Sequence, residues 1–145
     1  MSLSSVLAAG LAGVVVAGSG AVVERAAREE PALGPGVVRV EIGIEHSRFD
    51  VTSLRVVEGT VLEVVLHNGD PIDHELVIGT EEVHRRHRTG TEGRHPPIPG
   101  EVSVAPGDTA LTFYELTEPG TVEYVCHLPG HESYGMRGQI EVVPA

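Results

Sequence analysis

Cys126, the only cysteine of the chain, is followed by His131 after four residues and by Met136 after four more. A thiolate, an imidazole and a thioether this close together suit copper in either oxidation state. A trigonal site with a weak, long methionine contact uses these three donors and one further imidazole. Taken singly, each residue has a plainer explanation. A lone cysteine is usually a small buried hydrophobe, a lone methionine is usually core, and a lone histidine usually faces solvent. Together on one short stretch, with apolar alternating segments on both sides, they read as ligands on a loop between two β-strands.

A second imidazole must then come from another strand. The histidines are His46, His67, His74, His84, His87, His95, His127 and His131. His74 is the strongest candidate. It follows the turn-forming run Gly69-Asp70-Pro71-Ile72-Asp73 and opens the apolar stretch Leu76-Val77-Ile78, which puts it at the end of a strand, where loops converge. His67 reads as facing solvent. His127 is next to Cys126 and points the other way, because adjacent strand residues face opposite sides.

The elements that must hold these donors are short strands. Residues 37–44 alternate Val38, Val40, Ile42 and Ile44 with a more polar face, the period of a half-buried strand. Further strands read at 53–57, 61–68, 74–79, 101–104, 109–116, 121–126 and 139–143, separated by Gly, Pro, Asn and Asp turns. Such spacing marks an all-β sandwich or barrel. Residues 80–88 interrupt the pattern. Thr80 stands where a helix cap would, with Glu81 and Glu82 in the first turn and Arg85, Arg86 and Arg88 towards the end, the charge order a helix dipole favours. Residues 89–100, with Pro96, Pro97 and Pro99, read as a loop.

Residues 3–23 carry no charge and are mostly Ala, Val, Leu and Gly. At about 1.5 Å per residue they just span the roughly 30 Å hydrocarbon core of a bilayer. Two readings stand for this N-terminal apolar helix, residues 1–23: a signal peptide or an uncleaved membrane anchor. Arg25 and Arg28 follow the run rather than precede it, which by the positive-inside tendency weighs against export, yet export is the better reading. Residues 24–36 form a charged, then Pro- and Gly-rich linker, and the folded domain is expected at 37–145.

The chain has 145 residues and a formal net charge of −11, with arginine as its only basic type. So acidic a chain lacks the basic footprint that nucleic acid or anionic lipid headgroups require. One cysteine also excludes an intramolecular disulfide framework and a Cys-rich zinc site.

The motif Tyr124-x-Cys126-x-x-Pro129-Gly130-His131-x-x-x-Gly135-Met136-x-Gly138-x-Ile140 resembles the C-terminal ligand signature of the cupredoxins, the type 1 blue-copper proteins. Its ligand spacing is similar to that of the rusticyanin and auracyanin-like branches, and Asp73-His74-Glu75 resembles the segment that carries the first histidine ligand. The resemblance implies a Greek-key β-sandwich holding one copper ion through His74, Cys126 and His131, with Met136 axial. It also implies an apolar patch around the exposed histidine, here Leu128, Pro129, Pro71 and Ile72, where electrons pass to partners. The chain departs from the pattern in two places. Glu75 stands where the family often has a small or amidic residue, which weighs against a side-chain lock on the ligand loops, although its backbone N–H can still reach the Cys126 sulfur. The insert 80–100 has no fixed counterpart in compact members. A single cysteine rules against a binuclear copper centre.

The resulting expectation is an exported or membrane-anchored monomer, not an enzyme, that carries single electrons between redox partner proteins. The alternative is copper storage or delivery in copper homeostasis. A metal-free adhesion domain is disfavoured because all four donors are present, and a Cys–His nucleophile because the chain is all-β with Met136 in register. His84 and His87, three apart on the expected helix, with His95 beyond, offer a second weak metal site; a polar helix face is the favoured reading of these three.

Overall fold

The computed structural model describes residues 31–90 and 96–145. Nine strands and one α-helix follow in the order β1 (Gly36–Glu45), β2 (Arg48–Phe49), β3 (Ser53–Val57), β4 (Thr60–Asn68), β5 (His74–Gly79), α1 (Glu81–Thr89), β6 (Glu101–Val104), β7 (Thr109–Leu116), β8 (Gly120–Val125) and β9 (Arg137–Val143). The apolar residues 3–23 and His95 lie outside the described residues. Among the described residues no helix is long and apolar enough to cross a membrane.

The strands form two sheets, β2-β1-β4-β7 and β3-β9-β8-β5-β6. Pairing is parallel between β1 and β4 and between β3 and β9, and antiparallel elsewhere. The sandwich inferred from turn spacing is therefore present. Its core follows from the alternation read in the sequence: Ile42 and Ile44 of β1 and Leu62, Val64 and Leu66 of β4 meet Leu76 and Ile78 of β5, Tyr124 of β8 and Ile140 and Val142 of β9. Each strand turns every second side chain inward, so two such faces close over one apolar layer. Leu33, in the stretch read as linker, bridges to Val56 of β3.

β5 departs from alternation. All six of its residues are buried, because α1 lies against its outer face. A Cβ on Gly79 would come within 3.0 Å of all three side-chain carbons of Val83, so helix and strand meet at backbone range. Thr80 occupies the N-cap position but makes no side-chain cap hydrogen bond; the expected charge order does hold, with Glu81 and Glu82 in the first turn and Arg86, His87 and Arg88 in the last.

Gly138 shows how tightly the ligand end of β9 is built. It stands opposite Tyr124 of β8, and a Cβ there would fall 2.1 Å from the Tyr124 ring. That ring is buried, tilted against Phe49 at a centroid distance of 5.5 Å, and its hydroxyl donates to the Val51 carbonyl at 2.6 Å. It has nowhere to retreat. Gly138→Ala should therefore cost about 1–3 kcal/mol, the usual range for overpacking, read as a lowered denaturant midpoint at unchanged slope.

Candidate metal centre

His74 is delivered by the first residue of β5, and its loop is fastened before it arrives. The Asn68 side-chain amide donates to the Ile72, Val104 and Ala105 carbonyls at 2.8, 3.3 and 3.0 Å, while its oxygen accepts the Asp70 N–H at 3.0 Å. Asp70 in turn accepts the N–H groups of His46 and Ser47, each at 2.7 Å. Both of those residues have positive φ, 54° and 55°, so the carboxylate holds a turn that L-residues seldom adopt. The same carboxylate accepts a hydrogen bond from Nε2 of His74 at 2.9 Å. Burial alone would raise the Asp70 carboxyl, but the Ser47 and His46 amides and the His74 ring outweigh it and hold it below the usual carboxylate range.

The consequence is a tautomer. With its proton on Nε2 facing Asp70, His74 turns a bare Nδ1 into the protein, and that buried atom has no hydrogen-bond partner. Such a nitrogen costs free energy unless something binds it. A carboxylate behind a ligating imidazole is the arrangement that fixes ring orientation in metal sites.

The other donors come from the loop between β8 and β9. The β8–β9 register, with Val125 opposite Arg137, continues one step to set Cys126 opposite Met136, and the Cys126 N–H donates to the Met136 carbonyl at 3.1 Å. Opposite residues of an antiparallel pair share a face, so both sulfur side chains point into the core, where both are fully buried. Between them the chain makes a tight turn. His131 N–H donates to the Leu128 carbonyl at 3.0 Å and Met136 N–H to the His131 carbonyl at 3.1 Å. A short 3-10 turn, Glu132–Tyr134, ends at Gly135 in the left-handed region, φ 89°, where glycine is favoured.

One ligand atom each from His74, Cys126 and His131 lies within 4.8 Å of the others. Sγ of Cys126 is 3.3 Å from Nδ1 of His131, and the His74 and His131 rings lie 4.9 Å apart between centroids. Burial lowers the pKa of His131 and so favours the neutral imidazole that a metal needs. Burial pushes the Cys126 thiol up to about 11, against the backbone N–H groups of Glu75 and Leu128 that favour its thiolate. The donors fit one copper ion: two imidazole nitrogens and a thiolate, convergent and with one nitrogen otherwise unpartnered.

A match to the model of the copper-binding proteins of the plastocyanin/azurin family spans residues 37–143. The chain belongs to that family. Its curated relatives include the "Copper-resistant cuproprotein CopI" of Rubrivivax gelatinosus, 34% identical over 98 residues, which covers 66% of this chain and 59% of that protein; the chain thus spans little more than half of that relative's length. Among solved structures it is similar to auracyanin from Roseiflexus castenholzii, with a TM-score of 0.61, 23% identity and coverage of 79% of this chain and all of that one. It is also similar to rusticyanin from Thiobacillus ferrooxidans, with a TM-score of 0.58, 20% identity and coverage of 77% of this chain and 80% of that one. At these identities the two structures speak for the shared cupredoxin fold alone.

The remaining histidines are sorted by the fold. His67 stays half-exposed, bonded to Thr109 at 3.0 Å and to Glu41. His127 points away from the sulfur and meets the insert instead: its Nε2 is 2.9 Å from Nδ1 of His84, whose Nε2 donates to the Gly79 carbonyl at 3.1 Å. His84, expected on a polar helix face, is in fact fully buried, because α1 packs on β5 and the Cys126–His127 step. Burial, despite the opposing Glu132 carboxylate, drops His127 to about 4, so the His127 ring is neutral. His87 Nε2 lies 3.2 Å from the Glu101 carboxylate. Arg88 grips Glu132, the residue after His131, at 2.9–3.1 Å, and Arg137 reaches the same carboxylate at 3.1 Å. The insert is therefore a brace for the ligand loop, and among the described residues the one metal cluster is His74, Cys126 and His131.

Asp70, Asn68 and α1 were not recognised as supports from the sequence; the turn run ending in Asp73 was the only available signal for the first two. Asp70→Ala should lower copper affinity about 10- to 100-fold, the usual cost of losing the partner behind a metal-bound histidine, measured by competition with a chelator of known affinity. A second outcome follows from the thiol. Below about pH 11 Cys126 carries a proton that copper must displace, so apparent affinity should rise about tenfold per pH unit while both imidazoles are neutral. Calorimetry in buffers of different ionisation enthalpy should count close to one proton released per ion. Without copper the sign reverses for stability. From about pH 9 to 11 the folded chain keeps a proton that the unfolded chain has lost, so stability falls as pH rises through that window.

Proposed function

We propose that the chain holds one copper ion through His74, Cys126 and His131, with Met136 as the weak axial donor, and that it carries single electrons between redox proteins outside the cytoplasm without transforming a substrate. The observation that supports this best is the buried Nδ1 of His74, which has no protein partner, on a residue that forms one ligand cluster with Cys126 and His131. Copper bound by such donors supplies a one-electron couple accessible to protein partners. The chain's part is to keep the donors still, so that little must reorganise when the charge changes. The Asp70–His74 bond, the Cys126–Met136 backbone pair and the Arg88–Glu132 grip each restrain one piece of the site.

Three of the donor residues, His74, Cys126 and Met136, are fully buried, while His131 is only partly so. Leu128, Pro129 and Tyr134, the last 66% exposed, lie on the same loop, and Ile72, 45% exposed, stands two residues before His74. An apolar rim about a half-exposed ligand lets a partner come close and exclude water, and so supports electron exchange through His131. The uncharged residues 3–23 support export.

A second reading has its own support. The relative named for copper resistance favours storage or delivery of copper in copper tolerance. The two separate in one pair of measurements. An electron carrier keeps its copper against an apo-acceptor and exchanges electrons rapidly with a cytochrome; a delivery protein gives up the ion and exchanges electrons slowly. Under either reading the Cu(II) form should be intensely coloured from thiolate-to-copper charge transfer, and Cys126→Ser should abolish the band. A colourless Cu(II) complex of the native chain would overturn the site itself.

A further inference from the structure

Helix α1 has nine residues, too few to hold a helix in water without packing, so its fastenings to the sandwich decide whether it stays folded. One of them is ionic. The carboxylate of Glu101, the first residue of β6, lies 3.3 Å from Nη2 of Arg86 and 3.2 Å from Nε2 of His87, and both partners belong to α1. The His87 and Glu101 side chains are only 14% and 11% exposed, which leaves water little room to take the place of either.

The His87 ring needs two protons to make its contacts. Its Nδ1 lies 2.9 Å from the Val83 carbonyl, and its Nε2 faces a carboxylate oxygen; a carbonyl and an ionised carboxylate can only accept. A neutral imidazole has one N–H to give, so it must abandon either Val83 or Glu101. Only the imidazolium serves both. The other charged and titratable groups nearby do not replace the missing proton. Arg86 already lies on the other Glu101 oxygen, and His84 is turned to Gly79 and His127. The His127 ring, stacked on His87 at a centroid distance of 5.7 Å, is neutral, and Arg88 and Glu132 are committed to each other. That last pair carries the effect onward: Arg88 follows His87 in the helix, and Glu132 follows His131 on the ligand loop.

We propose that His87 is a proton-dependent clasp: as the imidazolium it ties α1 to Glu101 of β6, and its deprotonation loosens α1 and, through Arg88, the loop that carries His131. The sign follows from the geometry. The clasp is complete at low pH and is lost as pH rises through the titration of His87. Protons competing for the metal donors act in the opposite direction, since they weaken metal binding at low pH. The clasp is a property of the chain alone, while its effect on copper rests on the copper reading.

Amide hydrogen exchange on the full copper-free chain tests it, expressed as protection relative to the unfolded chain at each pH, with the His87 ring signals followed by NMR. Protection of the amides of residues 84–89, and of Tyr134 and Met136 on the ligand loop, should fall about threefold or more as His87 loses its proton, as local opening becomes easier. Glu101→Gln supplies an amide that can donate to a neutral His87 ring, and His87→Gln carries no titrating group; each should flatten that dependence in both places. Protection in α1 that stays constant while His87 titrates, or that falls equally in the variants, overturns the clasp. Loosening of α1 with Tyr134 and Met136 unchanged overturns its transmission to the ligand loop. In the copper-loaded chain, release to a chelator should quicken as pH rises across the same titration, and release that does not quicken overturns the effect on copper. If the native chain gives no coloured Cu(II) complex, the copper reading fails first, and the copper-free exchange still decides the clasp.

Discussion

A polar nitrogen buried without a partner is the constraint around which this protein is built. Nδ1 of His74 is held in that state by Asp70, which accepts the hydrogen bond from Nε2 at the other side of the ring. Leaving such an atom unsatisfied costs roughly 1–3 kcal/mol, and the surrounding loops do not relax to relieve it. They are tied instead. Asp70 is committed to the His46 and Ser47 amides, and Asn68 to the Ile72, Val104 and Ala105 carbonyls, so the carboxylate that orients the ring is itself held in place. The stability given up at His74 is recovered when a metal binds, because a ligand that binds only the folded state stabilises it.

The thiol shows the same logic. Burial favours the protonated form of Cys126 while two backbone N–H groups favour the thiolate, and the metal tips that balance. The ligand loop closes on a backbone pair between Cys126 and Met136, which sets the two sulfur side chains on one face without any special turn chemistry. Among the donors His131 is then the one that is only partly buried.

The insert changes what the sandwich can do. A bare β5 would leave Glu75, Val77 and Gly79 facing water; α1 covers that face and brings His84 to His127 and Arg88 to Glu132. Isolated surface ion pairs contribute little, but here Arg88 joins Glu81 on its own helix to Glu132 on the ligand loop, and Arg137 approaches the same carboxylate from β9. Helix α1 thus braces the ligand loop, and Glu75 ties that loop to β5.

The sequence by itself determined the donors and the frame. The spacing of Cys126, His131 and Met136 restricts them to one short loop, and period-two alternation on each side makes that loop a strand connection, so a copper ligand set and an all-β sandwich were both legible. His74 was legible because a polar turn precedes an apolar strand. Only the tertiary structure decided which nitrogen of His74 is free, since that depends on Asp70 folding back over a turn more than twenty residues away in sequence. Only it decided that His84 is buried, because helical periodicity cannot say which sheet face a polar helix will cover. Glu75 is the clearest case. As a residue it looked like a departure that removes a lock; in space its carboxylate is the lock, because the hydrogen bond that makes it so joins residues 75 and 127, and long-range register is not written in either local pattern.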